Sequence, residues 1–380
     1  MIPRDECSSY HFFLNFAKVY KVIIKTIDCL LEMMRIIILG GGFCGSLLAK
    51  RLDKKKNIEV ILIDKKEYFE YSPSLWKLLL DPESQKKYII PFKRFLNRTR
   101  LITTSTIQIT PKFVQTGKEH LTFDYLIIST GIEYPIFLKN TNNVFTVKSG
   151  VDVVKNNEKI TNAKTILIIG GGLIGTEIAA ELATKSPEKH VILIHSHDRL
   201  LERNAKSASY YAKKFLEEHG VRIILGEKVI EHTNDSFVTD MKRTIEADVG
   251  IWCAGITSNP WFMKDFPSSI FTEDHALKVN KFLQLEGYPN IFAGGDITSV
   301  AEEKTALNAE RQGNVILKNL LQSMKGKKLS GYRLRKEPMI ISLGRRNAIL
   351  TYWVFMVPGF LPAMIKFIVE KIGIKRLYFF

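Results

Sequence analysis

The sequence predicts an α/β protein of two Rossmann-like units, with β-rich insertions and a separate C-terminal segment. Three observations carry that prediction. Residues 35–51, RIIILGGGFCGSLLAKR, and residues 164–182, KTILIIGGGLIGTEIAAEL, repeat one pattern: an apolar strand run enters a glycine turn and leaves on a helix. Each repeat is followed by a second apolar strand, residues 60–63 and 191–194, which completes a βαβ unit. The chain then ends on a stretch that is apolar and basic at once.

Composition sets the frame for these elements. With 380 residues, 46% hydrophobic and 25% charged, the chain is long enough for two or three domains with a substantial core. Cys7, Cys29, Cys44 and Cys253 lie far apart, so the spacing supports no disulfide framework, no redox dithiol and no metal site. A net charge of +16 favours a polyanionic neighbour. No aromatic and basic nucleic-acid motif is present, so nucleic acid is not expected and an anionic lipid surface is.

Along the chain, residues 1–33 form an extension whose stretch 10–31 mixes apolar residues with Lys18, Lys21 and Lys25. It reads as an amphipathic surface helix or a targeting segment, or as a poorly ordered tail preceding a start at Met33 or Met34. Residues 34–145 are assigned to the first part of an FAD-binding domain and residues 146–270 to an inserted NAD(P)H-binding domain. Residues 271–330, with the NIFAGGD strand-turn, return to the first domain, and residues 331–380 form the C-terminal segment. Residues 101–122 and 222–248 alternate in polarity and read as antiparallel crossovers.

In the first turn, Gly40 permits the tight bend, Gly42 lets the backbone approach a pyrophosphate, and Gly45 lets the helix pack closely. Gly41 and Phe43 complete that cradle. Asp64, 24 positions beyond Gly40, is placed to accept hydrogen bonds from an adenosine ribose. Gly170, Gly172 and Gly175 take the same roles in the second turn. There the strand ends on His195, with Arg199 and Arg203 close behind, so a 2′-phosphate is not repelled and either NADH or NADPH is admitted. Glu177 follows two residues after Gly175, on what reads as the first turn of the helix. It is the candidate catalytic carboxylate, orienting the nicotinamide ribose or handling a proton, unless it serves only the helix dipole. Cys44 reads as a small buried packing residue, and without a dithiol the electrons leave the flavin directly.

With these residues in hand, the chain resembles the pyridine-nucleotide-dependent flavoprotein reductases. Within them it is similar to the ferroptosis suppressor proteins of the apoptosis-inducing-factor-like group and to type II NADH dehydrogenases. EKHVILIHSHDRLL at residues 188–201 and ALKVNKFLQLEGYPNIFAGGD at residues 276–296 carry the first likeness; YSPSLW at residues 71–76 and TALNAERQG at residues 305–313 carry the second. The resemblance implies that Asp296 binds the ribityl or phosphate part of FAD, that Thr130 and Gly131 line the flavin site, and that Lys77 is a basic flavin contact. Leu307 stands where glutamine is usual, so quinone contacts do not transfer from the family.

The last forty residues complete the prediction. Pro358, Gly359 and Pro362 break the apolar run, and its uncharged part, residues 347–365, barely reaches the ~20 residues that a spanning helix needs. Lys366, Lys371, Lys375 and Arg376 recur among apolar residues, as in a segment lying in a membrane interface. The alternative is a core hairpin or a dimer contact, and a homodimer is compatible with the sequence. Together with the resemblance, this gives an FAD-dependent NAD(P)H oxidoreductase that passes electrons to a quinone or another small acceptor. Its expected place is peripheral, on the cytoplasmic face of a membrane, the mitochondrial and lipid-droplet surfaces included. Reduction of a small carrier such as ferredoxin or rubredoxin, or a redox-responsive binding role of the apoptosis-inducing-factor type, are the alternatives.

Overall fold

The apolar runs around the two glycine turns form the centres of two parallel sheets, because strands this apolar must be covered on both faces. The computed structural model describes residues 33–379 apart from residues 106, 139, 234, 235 and 259, and the side chains of residues 377–379 are outside the description. The N-terminal extension, with its expected surface helix, lies outside the described residues.

The first unit starts with β1 (Met34–Leu39), α1 (Phe43–Leu52), β2 (Ile58–Asp64), β3 (Arg100–Thr103) and β4 (Tyr125–Ile128). The second contains β5 (Val144–Thr146), β6 (Thr165–Ile169), α2 (Leu173–Lys185), β7 (His190–His195), α3 (Lys206–Glu218), β8 (Arg222–Leu225) and β9 (Val249–Trp252). The chain then supplies β10 (Ile291–Ala293) and α4 (Ala306–Ser323). The first sheet runs β10-β4-β1-β2-β3 and the second β5-β9-β6-β7-β8, and every pairing in both is parallel. Ile36 to Leu39 have no exposed surface, nor do Ile166, Leu167 and Ile168, as expected of central strands.

The two crossovers differ in part from the sequence reading. Their antiparallel portions are three-stranded, residues 107–122 and 229–246, but β3 and β8 at their starts join the parallel sheets as edge strands. These two strands read RLIT and RIIL, without the strict alternation of a half-buried antiparallel strand.

The C-terminal segment folds as an antiparallel meander, β11 (Met339–Ser342), β12 (Ala348–Tyr352) and β13 (Phe355–Gly359), followed by α5 (Phe360–Phe379). Pro362 does not interrupt α5, since it sits in the first turn, where a missing N–H costs nothing. Among the described residues no helix is long and apolar enough to cross a membrane.

Candidate functional site

The turn after β1 is built to bring backbone close to backbone. Gly40 has φ +91°, and a Cβ on Gly45 would fall 1.8 Å from the Gly40 carbonyl oxygen. Ser129 at the end of β4 locks the bend by donating from Oγ to the carbonyls of Leu39 and Gly40, both at 2.9 Å. Gly42 is the N-cap of α1 and has neither a side-chain cap nor any atom within 4 Å of its Cβ position. A helix N-terminus left open in this way offers unpartnered N–H groups and a positive dipole end to a phosphate. The turn after β6 repeats the construction: Gly170 has φ +113°, a Cβ on Gly175 would lie 1.8 Å from the Gly170 oxygen, and Gly172 caps α2 with open space beside it. Both cradles therefore fit a dinucleotide pyrophosphate.

Around the first cradle the carboxyl edge of the sheet collects the other expected residues. Asp64, at the end of β2, accepts the Gly41 N–H at 2.6 Å and the Lys66 N–H at 2.8 Å. Phe43 opens α1 with its ring edge-on to Phe69 and Tyr71. Thr130 and Gly131 follow β4, and Asp296 follows β10. The Asp296 turn is fixed from α4, where Gln312 accepts the Gly295 N–H at 2.7 Å. A cavity of about 210 Å³ opens here, lined by Ile132, Asp274, Asp296, Thr298 and Lys304 among others. Burial pushes the Asp296 carboxyl up to about 6, against the pull of Lys304 and Lys148.

Lys148 carries no signal in the sequence, where it is one lysine among many. The structure holds it half-buried at the crossing from the first unit to the second, with Nζ donating to the Ile132 carbonyl, and this partial burial with Lys65 nearby brings its amine down to about 8. Together with Lys304, which donates to the Thr298 carbonyl at 2.6 Å, it supplies positive charge beside Asp296. Cys44 is 3% exposed, packed where Gly294 and Gly313 leave room, and its thiol is pushed up to about 12 by burial. That agrees with a packing role and not a redox one.

Glu177 and Lys77 have a common neighbour that the sequence did not announce. Glu177 is the fifth residue of α2, past the first turn, so the helix dipole does not explain it. Its carboxylate accepts the Ser342 N–H of β11 at 2.8 Å and pairs with Lys366 of α5. Lys77, in the short 3-10 segment Ser72–Leu79, pairs with Glu370 of α5, which also accepts the Tyr88 hydroxyl at 3.0 Å. Lys366 and Glu370 are one turn apart on the inner face of α5. Lys366 was expected among the residues facing an interface; it turns inward instead because Glu177 needs a counter-charge where its side chain is only 9% exposed.

His195 ends β7 with its ring 7% exposed, and its Nε2 lies 3.1 Å from Glu202 Oε2. Burial lowers its pKa, against the opposing effect of Glu202. His195, His197 and Glu202 bring one ligand-type atom each within 4.8 Å of one another. Arg199 donates to the carbonyls of Glu202 and Asn204, and Arg203 is exposed beside Glu202 and Glu303.

Known proteins are similar to this chain in sequence and in fold. The model of the pyridine nucleotide-disulphide oxidoreductase family matches residues 34–313. The chain is 32% identical over 359 residues to apoptosis-inducing factor homolog A of Dictyostelium discoideum, covering 85% of this chain and 86% of that one. It is also 32% identical over 334 residues to ferroptosis suppressor protein 1 of Taeniopygia guttata, covering 83% and 88%. Among solved structures, the sulfide:quinone oxidoreductase of Aquifex aeolicus superposes with a TM-score of 0.80 over 91% of both chains at 17% identity. NDH2 of Plasmodium falciparum in complex with NADH gives 0.79 over 91% of this chain and 97% of that one at 16% identity, and at these identities the likeness is one of fold. With both cradles in place and most of its length matched, the chain belongs to the pyridine nucleotide-disulphide oxidoreductase family and is an enzyme of FAD and NAD(P)H.

Proposed function

We propose that the chain is an NAD(P)H:quinone oxidoreductase that works from the surface of a membrane. When bound, FAD supplies the redox chemistry, taking two electrons as a hydride from NAD(P)H and giving them to the acceptor. The first glycine cradle, Asp64, Thr130, Gly131 and Asp296 would hold FAD, with Lys148 and Lys304 adding positive charge. The second cradle, Gly170, Gly172, Gly175 and His195, would hold the nicotinamide nucleotide. Glu177, paired with Lys366, would orient the nicotinamide end, while α5 and the meander would shield the junction from water.

The observation that carries the quinone reading is the reversed polarity of α5. Its charged Lys366 and Glu370 face inward, and Phe360, Leu361, Met364, Phe367, Ile368 and Ile372 face out, with Phe360 66% exposed. The tip of the β12–β13 hairpin adds Trp353, Val354 and Phe355 to the exposed apolar set. Lys371 and Lys375 lie exposed on the same helix, where anionic headgroups would meet them. A soluble carrier would need a polar docking face here, so the apolar exterior favours a lipid-soluble acceptor. The name of the structurally similar sulfide:quinone oxidoreductase supports the same acceptor class.

The test is the double variant Phe367→Ser with Ile368→Ser, assayed on anionic vesicles that contain a long-chain quinone. It should lose vesicle co-sedimentation and reduction of the embedded quinone while keeping NADH-driven reduction of a water-soluble acceptor. Unchanged vesicle binding and unchanged embedded-quinone reduction would contradict the membrane reading.

A further inference from the structure

The two α/β units repeat one architecture, so the same position can be compared in both. In the first, the acid Asp64 ends the second strand and accepts the Gly41 N–H at 2.6 Å. In the second, the strand ends on His195, whose Cγ lies 3.0 Å from where a Cβ on Gly171 would be. An acid nonetheless stands against the far side of that ring. Glu202 Oε2 stands 3.1 Å from His195 Nε2. The loop that carries it is pinned to the glycine turn, because the Leu201 N–H donates to the Gly171 carbonyl at 2.9 Å with Leu201 held at φ 51°. The cations that would welcome a 2′-phosphate are otherwise engaged: Arg199 is turned to the Glu202 and Asn204 carbonyls, and Arg203 lies 3.7 Å from Glu303 and 3.9 Å from Glu202.

We propose that Glu202, seven residues past the strand end and held by His195, takes the ribose-recognising place that Asp64 has in the first unit and selects NADH over NADPH. The proposal rests on reading the second cradle as the nicotinamide-nucleotide site. A 2′-hydroxyl donates to a carboxylate, whereas a 2′-phosphate brings negative charge against it in the same space. Glu202 is 27% exposed, so solvent screens part of the repulsion, and the expected discrimination is ~10-fold.

The experiment is equilibrium binding of NAD⁺ and NADP⁺ to the FAD-loaded full chain, wild type against Glu202→Gln, with FAD content and thermal midpoint confirming that the variant folds. Glutamine keeps an acceptor for the 2′-hydroxyl and removes the charge. Wild type should bind NAD⁺ ~10-fold more tightly, and the variant should lose most of that gap through tighter NADP⁺ binding. Equal affinities in wild type, a preference for NADP⁺, or an unchanged ratio in the variant would overturn the proposal. Binding of neither nucleotide would overturn it together with the nucleotide-site reading. The expected ratios, with NADH in a separate anaerobic mixing leaving the flavin oxidised, would leave Glu202 in its role and remove the oxidoreductase reading alone.

Discussion

At Asp296 two demands oppose each other. On the proposed reading the turn after β10 would set a carboxylate beside the cofactor, yet burial raises its pKa from 3.8 to about 6. A carboxyl whose folded pKa is raised is at ease when neutral, so its contribution is fully present below its unfolded pKa and is lost as pH rises through about 6. In the cofactor-free protein, Asp296→Asn should therefore gain stability relative to wild type as pH rises from 4 to 8, by about 2 kcal/mol, while FAD binding weakens. Thermal or urea unfolding of both apo-proteins across that range checks it, and a pH-independent difference would count against a buried charge at this turn. The strand and glycine turn that carry Asp296 were legible because they are contiguous, and its candidate role came from the family resemblance. Lys148, Lys366 and Glu370 were not, since each acquires meaning only from a distant partner. Glu177 lies 189 positions before Lys366, and Lys77 lies 293 before Glu370.

At the scale of the element, the two glycine turns make matching predictions with separate consequences. A methyl on Gly45 or on Gly175 meets a backbone carbonyl oxygen at 1.8 Å, so the turn must open and the pyrophosphate cradle with it. Gly45→Ala should purify with at least ~10-fold less bound FAD, whereas Gly175→Ala should keep its FAD and lose nucleotide affinity to a similar degree. Flavin absorbance per polypeptide and nucleotide titration separate the two, and FAD loss in both variants would show that the cradles are not independent. These turns, with β1, β2, β6 and β7, could be read from the sequence because strand, turn and helix are contiguous there. The polarity of α5 could not, because Lys366 and Glu370 at one-turn spacing fit a solvated face as well as a buried one. Only the packing of α5 across Glu177 and Lys77 decides that the charges face in and the phenylalanines out.

Over the whole molecule, two parallel sheets of like order set their carboxyl edges for two nucleotides, and the C-terminal meander and helix bridge them. Through Lys366 that bridge reaches the candidate nicotinamide side, and through Glu370 the candidate flavin side, while its outer surface is apolar and flanked by lysines. One element thus links the two dinucleotide sites to the face where a lipid-soluble acceptor would arrive. The net charge of +16 is in keeping with an anionic surface beneath it. Electron flow from nicotinamide nucleotide through flavin to quinone is checked by anaerobic stopped-flow absorbance of the FAD-loaded protein mixed with NADH and then with a ubiquinone. Rapid bleaching of the flavin band followed by its recovery on quinone addition is the result predicted. Bleaching that persists in the presence of quinone would contradict the acceptor, and a band that never bleaches would contradict hydride transfer itself.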